Sequence, residues 1–164
     1  MSDLLTACVA GVRTIQARMT RPNEDWTPVM LFTGADGVDN VAYFDVSSLP
    51  DERAQTAQGL SMVLRGQAAT EAVLLNTVWI STYEQDEVDL RNMVRKPGVE
   101  RPSDRIDRFE AVSLTHATRD TITAHIMRIT RTDDAPPTLG ELEFEASGLD
   151  VGGIWSDALR MGIQ

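Results

Sequence analysis

The chain has 164 residues, of which 42% are hydrophobic and 24% are charged, with a formal net charge of −10. This size and composition are typical of one globular domain with a core, and they exclude collagen-like, coiled-coil and disordered chains. Non-specific binding to nucleic acid needs a basic face. The acidic balance therefore argues against DNA or RNA as a partner and favours a basic protein or a bound cation.

Apolar runs in the sequence are short. Runs such as Ala72-Val73-Leu74-Leu75 fall far below the roughly 20 residues of a membrane span. The N-terminal segment carries Asp3 where a secretory signal would be basic. We therefore expect a cytoplasmic protein with no membrane partner. The single cysteine, Cys8, excludes a disulfide within the chain, and its place on the apolar side of a predicted helix indicates burial.

The first half of the chain predicts two helices and three strands. Apolar residues recurring every three or four positions predict a helix over residues 3–19. Two strands over 27–33 and 40–46 follow, and the glycines between them suit a hairpin turn. A proline in the first turn and a glycine at the end mark a second helix over 48–66. The strand over 71–82 is apolar on both faces, which is typical of a central strand.

The second half predicts three more strands and a short tail. Residues 109–117 and 121–131 form a predicted hairpin, and residues 139–146 alternate apolar and acidic side chains as an edge strand does. Residues 151–164 form a tail or short helix beyond a single domain of residues 1–150. The sequence thus predicts an α+β fold, with a mainly antiparallel sheet of five or six strands packed by two helices. The order of elements is similar to the roadblock or profilin-like layout.

A long polar segment, residues 83–108, separates two of these strands. Loops of this length are unusual in compact domains and are often functional. A short helix over 86–95 is one interpretation, with Val88, Met93 and Val94 as anchors. We expect ion pairs to attach the segment to the sheet, because arginine neighbours keep carboxylates ionised and so disfavour catalysis. The residues predicted to contact a protein partner are Arg101, Asp104, Arg105, Asp107 and Arg108 in this segment, and Ile154, Trp155, Leu159 and Met161 in the tail.

The two histidines, His116 and His125, raise an enzymatic alternative. If the hairpin turns at Arg119-Asp120, residue 116 faces 123 and residue 114 faces 125. Both imidazoles then lie on one face as diagonal neighbours, about 7–8 Å apart at the backbone. Together with a loop carboxylate they could ligate a metal. No HExxH or CxxC motif accompanies them, so the simpler interpretation is the polar side of a hairpin, and no cofactor is predicted.

One stretch resembles a known group of proteins. The sequence Pro102-Ser103-Asp104-Arg105-Ile106-Asp107-Arg108-Phe109-Glu110 follows a strand with Trp79 near its end. It resembles small uncharacterised α/β proteins of bacteria and bacteriophages, in which a tryptophan-ending strand precedes a variable loop and a Pro-Ser-x-x-x-Asp-Arg-x-Glu junction. The resemblance implies a phage or prophage origin, with the virion as the location in that case, and it implies no activity.

The leading hypothesis is a non-enzymatic structural or interaction protein. It contacts a protein partner, or a second copy of itself, through residues 83–108 and the tail. We expect removal of residues 152–164 to abolish this binding and leave the fold intact. Two alternatives stay open: a small metal-dependent hydrolase that uses His116 and His125, and a small-ligand-sensing domain.

Overall fold

The computed structural model of the chain describes residues 1–89, 91 and 94–163. Within them a large antiparallel sheet is packed by helices, which confirms the predicted α+β fold. No helix among these residues is both long enough and apolar enough to cross a bilayer. In chain order the elements are α1 (Asp3–Arg18), β1 (Val29–Thr33), β2 (Asp39–Tyr43), α2 (Pro50–Gly66), β3 (Glu71–Ile80), β4 (Val88–Asp89), β5 (Val94–Arg95), β6 (Phe109–Thr118), β7 (Ile122–Thr130), β8 (Thr138–Ser147) and α3 (Ile154–Gly162).

The large sheet has six strands in the order β2-β1-β3-β6-β7-β8, and all neighbours are antiparallel. Its central strand, β3, is buried on both faces, as its two-sided apolar pattern predicts. Val73 and Leu75 pack with the buried side chains of α1, whereas Ala72 and Leu74 pack with those of α2 and α3. The domain is therefore a three-layer arrangement with one helix on one face of the sheet and two on the other.

Ser2 caps the start of helix α1. At this position a side-chain hydroxyl can accept a hydrogen bond from the free N–H groups of the first turn. The Ser2 Oγ accepts a hydrogen bond from the backbone N–H of Leu5 at 3.1 Å. One turn further on, Cys8 lies against the sheet with only 3% of its surface exposed. Burial raises the pKa of its thiol to about 11. The predicted burial of Cys8 is confirmed, and the thiol stays protonated and unreactive at neutral pH.

Residues 151–164 were predicted to be a tail or a short helix, and the structure has the helix, α3, which belongs to the core. Ala158 and Leu159 are completely buried, and Leu159 belongs to the cluster that α2 forms with the sheet. The ring of Trp155 lies against that of Phe44, with 5.4 Å between the ring centroids. Removing residues 152–164 would expose this core to water, so the expectation that such a deletion leaves the fold intact does not hold.

The contact between α3 and α2 depends on a glycine. A Cβ atom placed on Gly162 would lie 2.8 Å from the Leu64 Cβ and 2.7 Å from its Cδ1. Carbon atoms in contact are ordinarily about 3.5–4.0 Å apart. Only glycine at position 162 therefore lets the two helices approach this closely.

We expect Gly162→Ala to destabilise the protein by about 1–3 kcal/mol, because the added methyl group overpacks this contact. The matched change Gly59→Ala, within α2, meets nothing within 4 Å. It should stabilise the protein by about 0.5–1 kcal/mol by removing a flexible residue from the unfolded helix sequence. Urea unfolding followed by circular dichroism measures both. A Gly162→Ala variant as stable as the parent would contradict the packing of α3 on α2.

Candidate partner-binding site

The polar segment leaves the sheet where β3 ends, at Ile80, and returns to it where β6 begins, at the opposite residue Phe109. It contains a 3-10 turn over Gln85–Glu87, the two-stranded sheet of β4 and β5, and a 3-10 turn over Pro102–Asp104. The predicted helix over 86–95 is wrong. The side chains and backbones of Glu84 and Glu87 cap each other across one turn, and the chain becomes extended at Val88. Met93, one of its predicted anchors, lies outside the described residues.

Arg105 connects the two ends of this segment. Its Nη1 lies 3.0 Å from the Glu87 Oε1, and its Nε lies 3.3 Å from the Asp107 Oδ1. Its guanidinium carbon is 4.5 Å from the centre of the Tyr83 ring. A planar guanidinium can bind two carboxylates and stack on a ring at once, which an ammonium cannot. Its charge is paired inside the segment, as the expected ion-paired attachment requires, so Arg105 positions the loop. Its predicted contact with a partner stays a prediction.

Asp107 attaches the segment to the end of β3. Its Oδ1 accepts a hydrogen bond from the Ser81 hydroxyl, and its Oδ2 accepts one from the Thr82 N–H at 3.1 Å. These hydrogen bonds, and then Arg105, hold the pKa of Asp107 below its ordinary value. Hydrogen bonds from the Glu84 N–H and then from Arg105 likewise lower the pKa of Glu87. Both carboxylates are therefore ionised at neutral pH, which suits an ion-paired attachment and not a general acid.

Ile106 points outward between these two attached residues. The side chains of Arg105 and Asp107 turn toward the protein, and the side chain between them is fully exposed, at 102% of the reference surface. Arg101 and Asp104 pair with each other at 3.0 Å and remain 70% and 48% exposed. We call the set of Arg101, Asp104, Ile106 and Arg108 the Ile106 tip.

Arg108, the last member of the Ile106 tip, is also exposed. Its guanidinium carbon lies 5.5 Å from the centre of the Trp79 ring. Trp79 itself is 46% exposed. The apolar side chain of Ile106 is thus bordered by charges of both signs.

The predicted partner residues of α3 divide into two groups. Leu159 is completely buried with Leu60 and Leu64 of α2. The prediction that Leu159 contacts a partner is wrong, because its side chain is part of the core. Ile154 and Met161 are 36% and 53% exposed and line an open groove of about 450 Å³ between α2 and α3. Trp155 falls between these groups, since it is partly buried against Phe44.

The two predicted surfaces lie toward opposite ends of β3. Helices α2 and α3 cover the end that contains Ala72, whereas the polar segment leaves the sheet at Ile80. Eight residues of extended strand separate these positions, or about 26 Å. The two segments predicted to contact a partner therefore form two separate surfaces.

The histidines lie where the predicted register places them. His116 is opposite Thr123, and His125 is opposite Leu114, both on the face that α1 covers. The His116 Nε2 lies 2.7 Å from the Glu71 Oε1 and 3.4 Å from the Ser2 Oγ. The ring of His125 meets that of Phe144 edge-on, with 5.7 Å between centroids.

This arrangement lacks the geometry of a nucleophilic triad or a metal centre. In a Ser-His-acid triad the acid and the serine use different ring nitrogens, whereas Glu71 and Ser2 both approach the Nε2 of His116. The Ser2 hydroxyl is also engaged as the cap of α1. In the part of the chain that the structure describes, no three His, Cys, Asp or Glu side chains are grouped so that they could hold a metal ion.

Comparisons with protein-family models, with curated proteins and with solved structures found no match to this chain. The resemblance to bacterial and phage proteins, and the roadblock or profilin-like layout, therefore stay predictions from the sequence.

We expect Arg105→Ala to release the polar segment while leaving the sheet intact, because Arg105 joins Glu87 to Asp107. Hydrogen-exchange mass spectrometry should show several-fold faster exchange over residues 82–89 and unchanged exchange in β3 and β6. The matched variant Arg101→Ala, which loses only an exposed pair with Asp104, should exchange like the parent. Equal exchange in both variants would contradict the role given to Arg105.

We expect His125 to make the stability depend on pH. Burial, then the neighbouring His116 and the amino terminus, lower the pKa of His125 from its ordinary value of 6.5. The folded state binds the proton less readily than the unfolded chain, so this contribution is complete above about pH 6.5 and is lost as the pH falls toward the lower folded value. Unfolding free energies measured between about pH 7.5 and 5.5 should decline less steeply in His125→Gln than in the parent. Identical slopes would disprove this assignment.

Proposed function

We propose that the chain is a non-enzymatic interaction protein that binds a protein partner through the Ile106 tip. The observation that carries this proposal is the full exposure of Ile106 between two residues whose side chains are attached to the protein. Moving a side chain of this size from water into an apolar pocket is worth about 1.5–3 kcal/mol. A backbone already fixed by ion pairs loses little further entropy on binding.

The surroundings of Ile106 suit an interface. Binding energy in interfaces is concentrated in a few central anchors, and polar residues around them exclude water. Arg101, Asp104 and Arg108 provide such a rim, with charges of both signs. Because the whole chain carries a net charge of −10, a partner with a basic surface would associate fastest.

The groove between α2 and α3 offers a second contact surface. Ile154 and Met161 line it together with Met62, which is 65% exposed. Its distance from the Ile106 tip means that one small partner would use only one of these surfaces. A larger assembly could use both, as a structural protein does.

A phage or prophage origin, with a structural role in the virion, belongs to this proposal and is supported by the resemblance of residues 102–110. Inside a cell the predicted location is the cytoplasm. Capsid or tail genes beside the coding gene would support the structural role, and a metabolic operon would count against it.

A photo-crosslinking amino acid at position 106 tests the proposal in cells that express the protein. We expect one discrete protein adduct, and we expect it to weaken when Arg105→Ala is added. The matched control is position 149, because Leu149 is a similarly exposed apolar residue, at 93%, on a different surface. The same adducts at both positions, or none at 106, would reject the Ile106 tip as a binding surface.

A further inference from the structure

We propose that two copies of this chain associate through β2, which pairs antiparallel with its own counterpart about a two-fold axis at Val41. The two six-stranded sheets then continue as one across the contact. This inference uses other residues than the Ile106 tip and does not depend on the proposed function.

Among the residues that the structure describes, β2 is an edge strand that pairs in the sheet with β1 alone. The backbone N–H and C=O groups of the even-numbered residues of β2 point toward β1, because the hydrogen-bonded pairs at both ends of the hairpin consist of even-numbered residues. The Gly34 N–H donates to the Val38 carbonyl at 3.0 Å, and the Phe44 N–H donates to the Pro28 carbonyl at 3.4 Å. Hydrogen bonding alternates along an antiparallel pair. The N–H and C=O groups of Asp39, Val41 and Tyr43 therefore point away from the sheet and can pair with another strand.

The same residues carry an uncovered apolar surface. Val41 is 53% exposed and Tyr43 is 74% exposed, beside the partly buried Val29 and Leu31 of β1. They lie on the face of the sheet that α1 covers, and α1 packs over the centre of that face. Helix α1 contacts β1, β3 and β8 of the sheet. Val41 and Tyr43 stay exposed beyond it, so β2 keeps these apolar side chains in water until a second chain covers them.

The two edges of the sheet are not equally protected against strand pairing. The β8 edge carries Glu141, Glu143 and Glu145 together with irregular register, features that prevent edge-to-edge association. Two copies that paired through β8 would bring these acidic side chains close to those of the other copy. From Asn40 to Phe44 the β2 edge has no charged residue and no proline, and its register is regular. Self-association is therefore expected at β2 and not at β8.

Opposed charges disfavour the register next to the one proposed. A two-fold axis at Ala42 would place Asp39 opposite Asp45 of the second copy, and directly opposed like charges are destabilising. An axis at Val41 places Val41 opposite itself and Asp39 opposite Tyr43, with no opposed like charges. The outward-pointing groups then form three pairs: Val41 with Val41, Asp39 with Tyr43, and Tyr43 with Asp39. Each pair would exchange two backbone hydrogen bonds, about six in total. The strand is thus complementary to itself, which is why a second copy is the occupant proposed.

Engineered cysteines test this register. Opposed residues of a hydrogen-bonded antiparallel pair lie about 5.5 Å apart at Cα, within the range of a disulfide. Val41→Cys should therefore form a covalent dimer under mild oxidation. Tyr43→Cys is the matched control, because its two copies would be four residues apart along the strands, or about 13 Å. Cys8 does not compete, since it is buried and its thiol pKa is about 11.

Analytical ultracentrifugation tests the association itself. We expect the parent chain to dimerise and Val41→Lys or Tyr43→Asp to weaken dimerisation by at least about tenfold, with unchanged circular dichroism. In this register the first change opposes two lysines across the axis, and the second places a carboxylate opposite Asp39 of the second copy. Phe144→Lys is the matched control, because Phe144 is 61% exposed on the same face at the other edge, and it should dimerise like the parent. A parent chain that stays monomeric at about 0.1 mM would overturn the proposal. Equal crosslinking at positions 41 and 43, or dimerisation unaffected by both Val41→Lys and Tyr43→Asp, would overturn it as well.

Discussion

The need to cover both faces of β3 determines the rest of the fold. Val73 and Leu75 require one apolar layer and Ala72 and Leu74 require another, because leaving such side chains in water costs roughly 25 cal/mol per Å². Two helices on one face and a single helix on the other meet this requirement in the middle of the sheet. The margins are left less completely covered, and the exposed apolar residues Val41, Tyr43, Trp79 and Phe144 lie there.

Beyond the part of the sheet that the helices cover, ion pairs replace apolar packing as the interactions that order the chain. The polar segment contains few apolar side chains, and Arg105 orders it through two carboxylates and an aromatic ring. Exposed ion pairs contribute little to global stability, so this arrangement specifies the shape of the loop more than it stabilises the domain. A loop ordered in this way can hold an isoleucine in water, which a loop ordered by hydrophobic collapse would bury.

Sequence reasoning succeeded where a local pattern has one physical solution. Apolar residues on both faces placed β3 at the centre, and the turn at Arg119-Asp120 fixed which residues of β6 and β7 are opposite each other. It failed where distant segments meet. The apolar stripe of α3 needed a cover, but its sequence alone could not distinguish α2 of the same chain from a partner, so the burial of Leu159 was missed. Ile106 was missed because its exposure depends on Glu87 and Ser81, far from it in the chain.

The tilted ring contact between Trp155 and Phe44 links two regions that otherwise look independent. Phe44 is the first residue after β2, and Trp155 lies in the first turn of α3. The indole therefore reports on both the sheet margin and the docking of the last helix. Its fluorescence emission would shift to longer wavelength as α3 detaches and water reaches the ring, and with Trp26 and Trp79 replaced by phenylalanine it would provide a label-free optical signal for that motion.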